Sequence, residues 1–459
     1  MTAAAAHMGR LPQANRLASR LVCGGCGTVL APADPYPFRC PHAGDGRDHV
    51  VRRVLEPGML SFPTDSGDPN PFVAYRSLFH SHHLALAHGM SDDDYVSLVR
   101  ALDGRVAEVD GRGFRATPAT EYPDLARRSG AGGGLVVKDE TANVSGSHKA
   151  RHLFGLLVHL EVVGALGLIP PGPLPDLAIA SCGNAALAAA VVAKAGGRRL
   201  QVFVPTDADE GVVTALAAHG AEITVCARQS GTSGDPTYLA LQEAIGRGAL
   251  PFTCQGNENG LAIEGGETLG YELVATLLGS GKSLDHLVIQ VGGGALASAV
   301  AQALEEAVGL EVLGHMPKIH TVQTEGAWPL KRAYDRVTRH LGQSRDKGAI
   351  KAAIGSAARD RGDYMWPWET TPHSIAHGIL DDETYDWVAV VEAMLSSGGQ
   401  PVVVSEEQLV EANRLGAEVT GIKVDETGSA GLAGLMALAR AGVIGSDERC
   451  AVLFTGVRR

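Results

Sequence analysis

The chain is poor in aromatic residues and in positive charge. Only 5% of its 459 residues are aromatic, and 39 Lys and Arg face 51 Asp and Glu, for a formal charge of −12. That balance argues against a nucleic-acid partner, since no basic stripe offsets it. No uninterrupted apolar run is long enough to cross a bilayer. The first twenty residues carry arginines but no apolar core of a signal peptide, so a cytoplasmic chain with no membrane partner is expected. The seven cysteines form no disulfide framework. Cys182, Cys226, Cys254 and Cys450 are scattered in apolar surroundings, whereas Cys23, Cys26 and Cys40 cluster near the start.

What is present is glycine, 58 residues of it, with alanine-rich stretches of helical spacing and 45% hydrophobic residues overall. This combination suits helices packed closely on a parallel sheet. The length calls for two or three structural units. Residues 1–20 read as a disordered tail, 21–56 as a short Cys-containing segment and 57–130 as an N-terminal extension, with helix-like stretches such as Leu84 to Val99. From 131 to 459 strands alternate with helices, and a smaller subdomain is expected over roughly 150–265. Leu177–Ala180, Leu200–Val204, Ile223–Cys226, Leu287–Val291 and Ile319–Gln323 read as strands, with helices at Asn184–Ala195, Gly211–His219, Gly265–Leu278 and Ala297–Val308. The order predicts an α/β fold with doubly wound parallel sheets. Tyr334 to Thr371 is polar and irregular and reads as an excursion, either a lid or a surface insertion.

Lys149 stands in Lys138-Asp139-Glu140-Thr-Ala-Asn143-Val-Ser145-Gly146-Ser147-His148-Lys149-Ala-Arg151, between an apolar strand (Gly134–Val137) and a helical pattern (Leu153, Leu156, Leu157, Leu160). It therefore falls in the first turn of a helix, beside free N–H groups and the positive end of the dipole. Such a place binds anions and disfavours a protonated ammonium, as a lysine that forms a Schiff base requires. Taken alone, a solvated lysine at a helix start would fit as well. Gly292-Gly293-Gly294-Ala295 closes a strand and opens a helix, in the form of a phosphate cradle, without the Lys and Ser/Thr of a nucleotide loop. Ser181-Cys182-Gly183-Asn184-Ala185 follows a strand and opens another helix; it reads as an anion-receiving turn or as an ordinary N-cap.

Together these motifs resemble, in order from Thr117-Pro118 to Thr455-Gly456, the threonine synthases and their relatives in the pyridoxal-phosphate fold-type II (tryptophan synthase β) family. The resemblance implies two parallel-sheet domains with pyridoxal 5'-phosphate between them and a Schiff base on Lys149, which also serves as general base. By the same resemblance, Gly292, Gly293, Gly294 and Ala295 hold the cofactor phosphate and Asn184 its phenolic oxygen. Thr455 faces the pyridine nitrogen, with Thr427 and Ser429 as competing candidates. Ser181, Cys182, Gly183 and Ala185 receive the substrate carboxylate. The implied activity is β- or γ-elimination or replacement on a small amino acid, by a homodimer. A serine/threonine dehydratase-type ammonia lyase is the alternative in chemistry, and a non-catalytic cofactor-binding regulator the alternative in class.

The pattern also departs from threonine synthases. Ala262 stands where they carry an Arg before Leu-Glu-Gly, and Asp207, Asp209 and Glu210 stand where a phosphate site would favour basic residues. His148 replaces their usual Phe. His377 and Asp381 read either as substrate contacts or as caps. Cys23-x2-Cys26 with Cys40-Pro-His42 resembles the zinc-ribbon element that precedes some threonine-synthase-like chains. A tetrahedral site would need His42 or His49 as its fourth ligand, and a decayed knuckle without metal fits the spacing equally.

Overall fold

The computed structural model describes residues 17–459 except 65–66, 229–233, 343 and 345. Most of the expected N-terminal tail, and Arg345 of the excursion, lie outside the described residues. The strands are, in chain order, β1 (Ser19–Cys23), β2 (Val51–Leu55), β3 (Ala119–Glu121), β4 (Leu135–Asp139), β5 (Leu177–Ala180), β6 (Leu200–Pro205), β7 (Glu222–Cys226), β8 (Leu250–Pro251), β9 (His286–Gln290), β10 (Lys318–Thr324), β11 (Pro401–Val404) and β12 (Cys450–Phe454).

They form three sheets, with orders β1-β2, β11-β10-β9-β12-β4-β3 and β7-β6-β5-β8. Within the larger sheet every pairing is parallel except β3 with β4. The smaller sheet is parallel throughout. Every residue of β9 and β12 is buried, as the apolar runs require when helices cover both faces of a sheet. β5 and β9 each lie where the strand order changes direction, so the loops leaving their C-terminal ends open into a crevice. Those loops are 181–184 and 291–294.

Four helices descend from these loops or flank them: α1 (Lys149–Ala165), α2 (Asn184–Ala195), α3 (Ala262–Ser280) and α4 (Ala295–Gly309). α1 and α3 pack tightly because Gly155 and Gly265 meet; a Cβ on Gly155 would lie 2.8 Å from the Gly265 Cα. Two readings of the sequence need revision. The stretch from Leu84 to Val99 spans two helices, His80–Ala87 and Asp92–Asp110. They break at Gly89, which takes a φ of 87°, and the second restarts where the Ser91 side chain accepts from the Asp94 N–H. The excursion after Tyr334 is largely helical, with Pro329–Leu341 and Lys347–Arg359 turning their apolar residues inward. Its polar composition belongs to the exposed faces of amphipathic helices. Among the described residues, no helix is long and apolar enough to cross a membrane.

Candidate active site

A cavity of about 370 Å³ lies between the two parallel sheets and is lined by Lys149, Ser181–Ala185, Gln290–Leu296, His377–Asp381 and Thr455. Nearly every residue expected to hold cofactor or substrate is on its wall.

Lys149 is the first residue of α1. Its position is set from the other end of the chain: the Val457 N–H donates to the Gly146 carbonyl and the His148 N–H to that of Thr455. Ser147 pairs with Gly456 in an isolated bridge. Behind it, Arg151 is fully buried and grips Glu140 through two nitrogens at 2.7 and 2.9 Å, while another reaches Glu272 at 2.6 Å. Lys138 joins the same cluster, donating to the Thr117 carbonyl at 2.6 Å and forming an ion pair with Glu272. Arginine and lysine thus balance two glutamates, and the guanidinium holds the Glu140 carboxyl down at about 2 despite its burial. The motif around Lys149 is therefore partly a foundation: Lys138, Glu140 and Arg151 fix the helix that presents the lysine.

No hydrogen bond or ion pair joins the Lys149 ammonium to another protein group among the described residues, and it faces the cavity. His148 beside it is held well below the ordinary imidazole range by burial and the neighbouring ammonium. The ring is therefore neutral. Its Nδ1–H donates to the Thr455 carbonyl at 3.2 Å, which leaves Nε2 an unpartnered acceptor on the cavity wall. His152, one turn on, donates from Nδ1 to the Ala262 carbonyl at 2.8 Å. Ala262 is fully buried and does not line the cavity, so its side chain meets no substrate directly.

Thr455 is 2% exposed, and its Oγ1 accepts from Gln290 Nε2 at 2.7 Å. Its own hydroxyl proton stays available to a ring nitrogen. Thr427 also lines the cavity, and its Oγ1 likewise accepts, from the Gly378 N–H. Ser429 is bound to Asn413 and to the Asp425 carbonyl, away from the site. Asn184 opens α2; its Oδ1 accepts from Arg459, and Nδ2 lies toward Gly456.

The glycine loop fits an anion on direct observation. A Cβ on Gly292 would lie 2.3 Å from Asp381 Oδ2 and 2.9 Å from the Ile379 Cα, and Gly294 takes a φ of 99° that favours glycine. The Gly293 N–H already holds an anion, the Asp381 carboxylate. Burial pushes Asp381 up to about 6, against the pull of Lys149 and that N–H. Asp386 is pushed further, to about 8, by burial and by the charge of Asp48. Sequence reading missed Gln290, Asp235 and Tyr385, which line the cavity. Gln290 alone had a signal, a polar residue closing an apolar strand directly before a glycine loop.

The remaining predicted group lies apart from this cavity. Cys23, Cys26 and Cys40 gather with His49, their ligand atoms all within 4.8 Å of one another. His42 is turned aside: its Nδ1 lies 3.3 Å from Thr28 Oγ1 and 3.9 Å from Cys26 Sγ.

A lysine at a helix start, a glycine loop at a switch point and a hydroxyl at the end of a buried strand define a cofactor-dependent α/β enzyme of the two-sheet kind. The sequence pattern of the pyridoxal-phosphate dependent enzymes matches residues 112–456, and the chain belongs to that family. It is 25% identical over 323 residues to a threonine synthase of Methanocaldococcus jannaschii, covering 70% of this chain and 69% of the relative. To a threonine synthase of Methanosarcina acetivorans it is 26% identical over 341 residues, 74% of each chain. Among solved structures, diaminopropionate ammonia lyase from Escherichia coli superposes with a TM-score of 0.58 at 18% identity, covering 87% of this chain and 93% of that one. The core fold is therefore fold type II, as the sequence motifs implied.

Proposed function

We propose that the protein is a pyridoxal-phosphate-dependent lyase with a threonine-synthase-like core, acting on a small amino acid by β- or γ-elimination or replacement. The observation that carries this is the convergence of Lys149, Gly292–Gly294, Asn184 and Thr455 on one cavity. When bound, the cofactor supplies an aldehyde for the amino group and a ring that draws electrons away from Cα. The protein's own residues do the rest. The N–H groups of Gly292, Gly294 and Ala295, beside the Gly293 N–H engaged by Asp381, would hold the phosphate, Asn184 Nδ2 the phenolic oxygen and the Thr455 hydroxyl the ring nitrogen. A hydroxyl there donates a hydrogen bond without adding charge, which moderates the ring's pull and suits elimination. The turn from Ser181 to Ala185 presents helix N-terminal N–H groups to a substrate carboxylate. Lys149, once free as an amine, is placed to take the proton from Cα.

A specific observation favours the ammonia-lyase version of this chemistry. Among the described residues lining the cavity, Lys149 carries the sole ammonium or guanidinium, while Asp235 and Asp381 are acidic. A phosphate-bearing side chain would find no second cation there, whereas an amino-bearing one would find a carboxylate. The test is a panel of O-phosphohomoserine, serine, threonine and 2,3-diaminopropionate with the cofactor-loaded protein, following phosphate, ammonia and keto acid. Ammonia and keto acid from the amino-bearing substrate are the expected result. Phosphate release with threonine formed would establish the synthase reaction instead, and no change in the cofactor's absorbance with any amino acid would favour a regulator.

A further inference from the structure

We propose that Cys23, Cys26, Cys40 and His49 bind one zinc ion, and that this ion holds residues 40–49 in place as the outer wall of the active-site mouth. The inference does not depend on which amino acid the enzyme uses.

The four ligand atoms come from separate parts of one small element. Cys23 ends β1, which pairs antiparallel with β2, and the turn between Cys23 and Thr28 is closed by paired backbone hydrogen bonds. That turn brings Cys26 back to within 3.6 Å of Cys40, sulfur to sulfur. The separation is far too long for a disulfide and close to the edge of a zinc–thiolate tetrahedron, about 3.8 Å for Zn–S bonds of about 2.3 Å. His49 Nδ1 lies 3.4 Å from Cys23 Sγ, and all four ligand atoms fall within 4.8 Å of one another. Cys23, Cys40 and His49 are buried.

Two further contacts point to a ligand at this spot. His49 Nε2 faces Asp45 Oδ1 at 2.8 Å, so the Nε2–H donates to the carboxylate and Nδ1 is left a bare acceptor aimed at the three sulfurs. Carboxylates beside metal-bound imidazoles act in this way, fixing the tautomer and ring direction. The His42 backbone N–H, in turn, donates to Cys40 Sγ at 3.4 Å, a contact that suits a thiolate. Sulfur-rich tetrahedral sets with one imidazole select zinc among common divalent ions.

The element is fastened to the catalytic body. The Asp48 N–H donates to the Ala358 carbonyl at 2.8 Å, and Trp387 Nε1 donates to Asp48 Oδ1 at 3.0 Å. Trp387 directly follows Asp386. On the other side the Gly260 N–H donates to the Phe38 carbonyl at 3.0 Å; within the element itself, a Cβ on Gly25 would collide with the Asp48 carbonyl. Between these anchors, Arg39, Arg47, Asp48 and His49 line a second cavity of about 560 Å³. Asp235, Tyr238 and Tyr385 line both cavities, so the second is the vestibule of the first. The loop spanning Cys40 to His49 has no regular structure of its own, and its two end residues are ligands.

Metal content of the purified full chain, measured by mass spectrometry after expression with zinc supplied, tests the site. About one zinc per chain is expected, retained in His42→Ala and lost in His49→Ala and Cys26→Ser. Asp45→Asn should weaken binding about 10–100-fold. Cobalt exchanged into the intact chain should give the intense visible bands of a tetrahedral thiolate site, a readout that holds even if a cysteine variant misfolds. No zinc, iron in its place, or loss of metal from His42→Ala but not from His49→Ala would overturn the assignment. For the wall, a chelator should expose Arg39 and Arg47 to rapid trypsin cleavage while cofactor absorbance persists. Cleavage unchanged after zinc removal would overturn the bracing role.

Discussion

The side-chain amide of Gln290, at the end of β9, donates to the hydroxyl oxygen of Thr455 at the end of the neighbouring β12, at 2.7 Å. The same nitrogen reaches the Gly428 carbonyl at 2.8 Å. The amide therefore occupies a lone pair of Thr455 and leaves the hydroxyl proton to point into the cavity. Replacing Gln290 with Ala should free the hydroxyl to turn, lowering kcat about tenfold, or about 1.4 kcal/mol, with KM little changed. Steady-state rates on the amino acid found by the substrate panel check this, and the variant's melting temperature separates it from a loss of folding.

Arg151 joins Glu140 and Glu272 in a cluster buried from solvent. Arg151→Met would leave both carboxylates buried against Lys138 alone. A loss of about 3–5 kcal/mol in stability is expected, read by denaturant unfolding, together with weaker cofactor retention because α1 starts beside Lys149.

Gly292→Ala would bring a methyl group against Asp381 and Ile379. Backbone at Ile379 cannot yield as a flexible side chain can, so the loop must shift. Cofactor affinity should fall at least tenfold while the melting temperature of the cofactor-free protein changes little, checked by titration of absorbance.

Stability should decline as pH rises through neutrality. Burial pushes Glu264 from an ordinary 4.5 up to about 7, and Asp386 from 3.8 up to about 8. For an acid raised in the fold, the native state binds the extra proton. Its contribution is complete below the unfolded pKa and is lost as pH climbs through the folded one. A melting temperature falling by a few degrees between about pH 4 and pH 8 is expected, with a shallower fall in Glu264→Gln. At the acid end, Asp92 and Glu448 are held down at about 2 by their partners, so they act oppositely, below about pH 4.

Asp381→Asn removes a carboxylate from the cavity wall without changing its shape. On the proposed reading it should raise KM for an amino-bearing substrate about tenfold and leave KM for serine nearly unchanged. Equal effects on both substrates would argue that Asp381 serves the cofactor loop alone.

What could be read from the sequence was whatever local chemistry signals by itself. Lys149 and Asn184 stand at helix starts, and Gly292–Gly294 interrupt the pattern between a strand and a helix, so propensity and position coincide there. Gln290 and Asp235 gain their places in the site only from what folds around them, and no local pattern marks that. The helices after Tyr334 were hidden because their polar faces outweigh their apolar stripes. The choice between His42 and His49 was beyond spacing, since the return of the chain toward β2 carries residue 49, not 42, to Cys23.

The hydrogen bond from His148 to the Thr455 carbonyl joins groups 307 residues apart in the chain. A contact of that span closes a long loop, and its entropy cost falls as the intervening chain condenses. A chain stopped short of β12 would carry Lys149 but no completed pocket around it. Capture of the cofactor is in this sense a report that the larger sheet has closed.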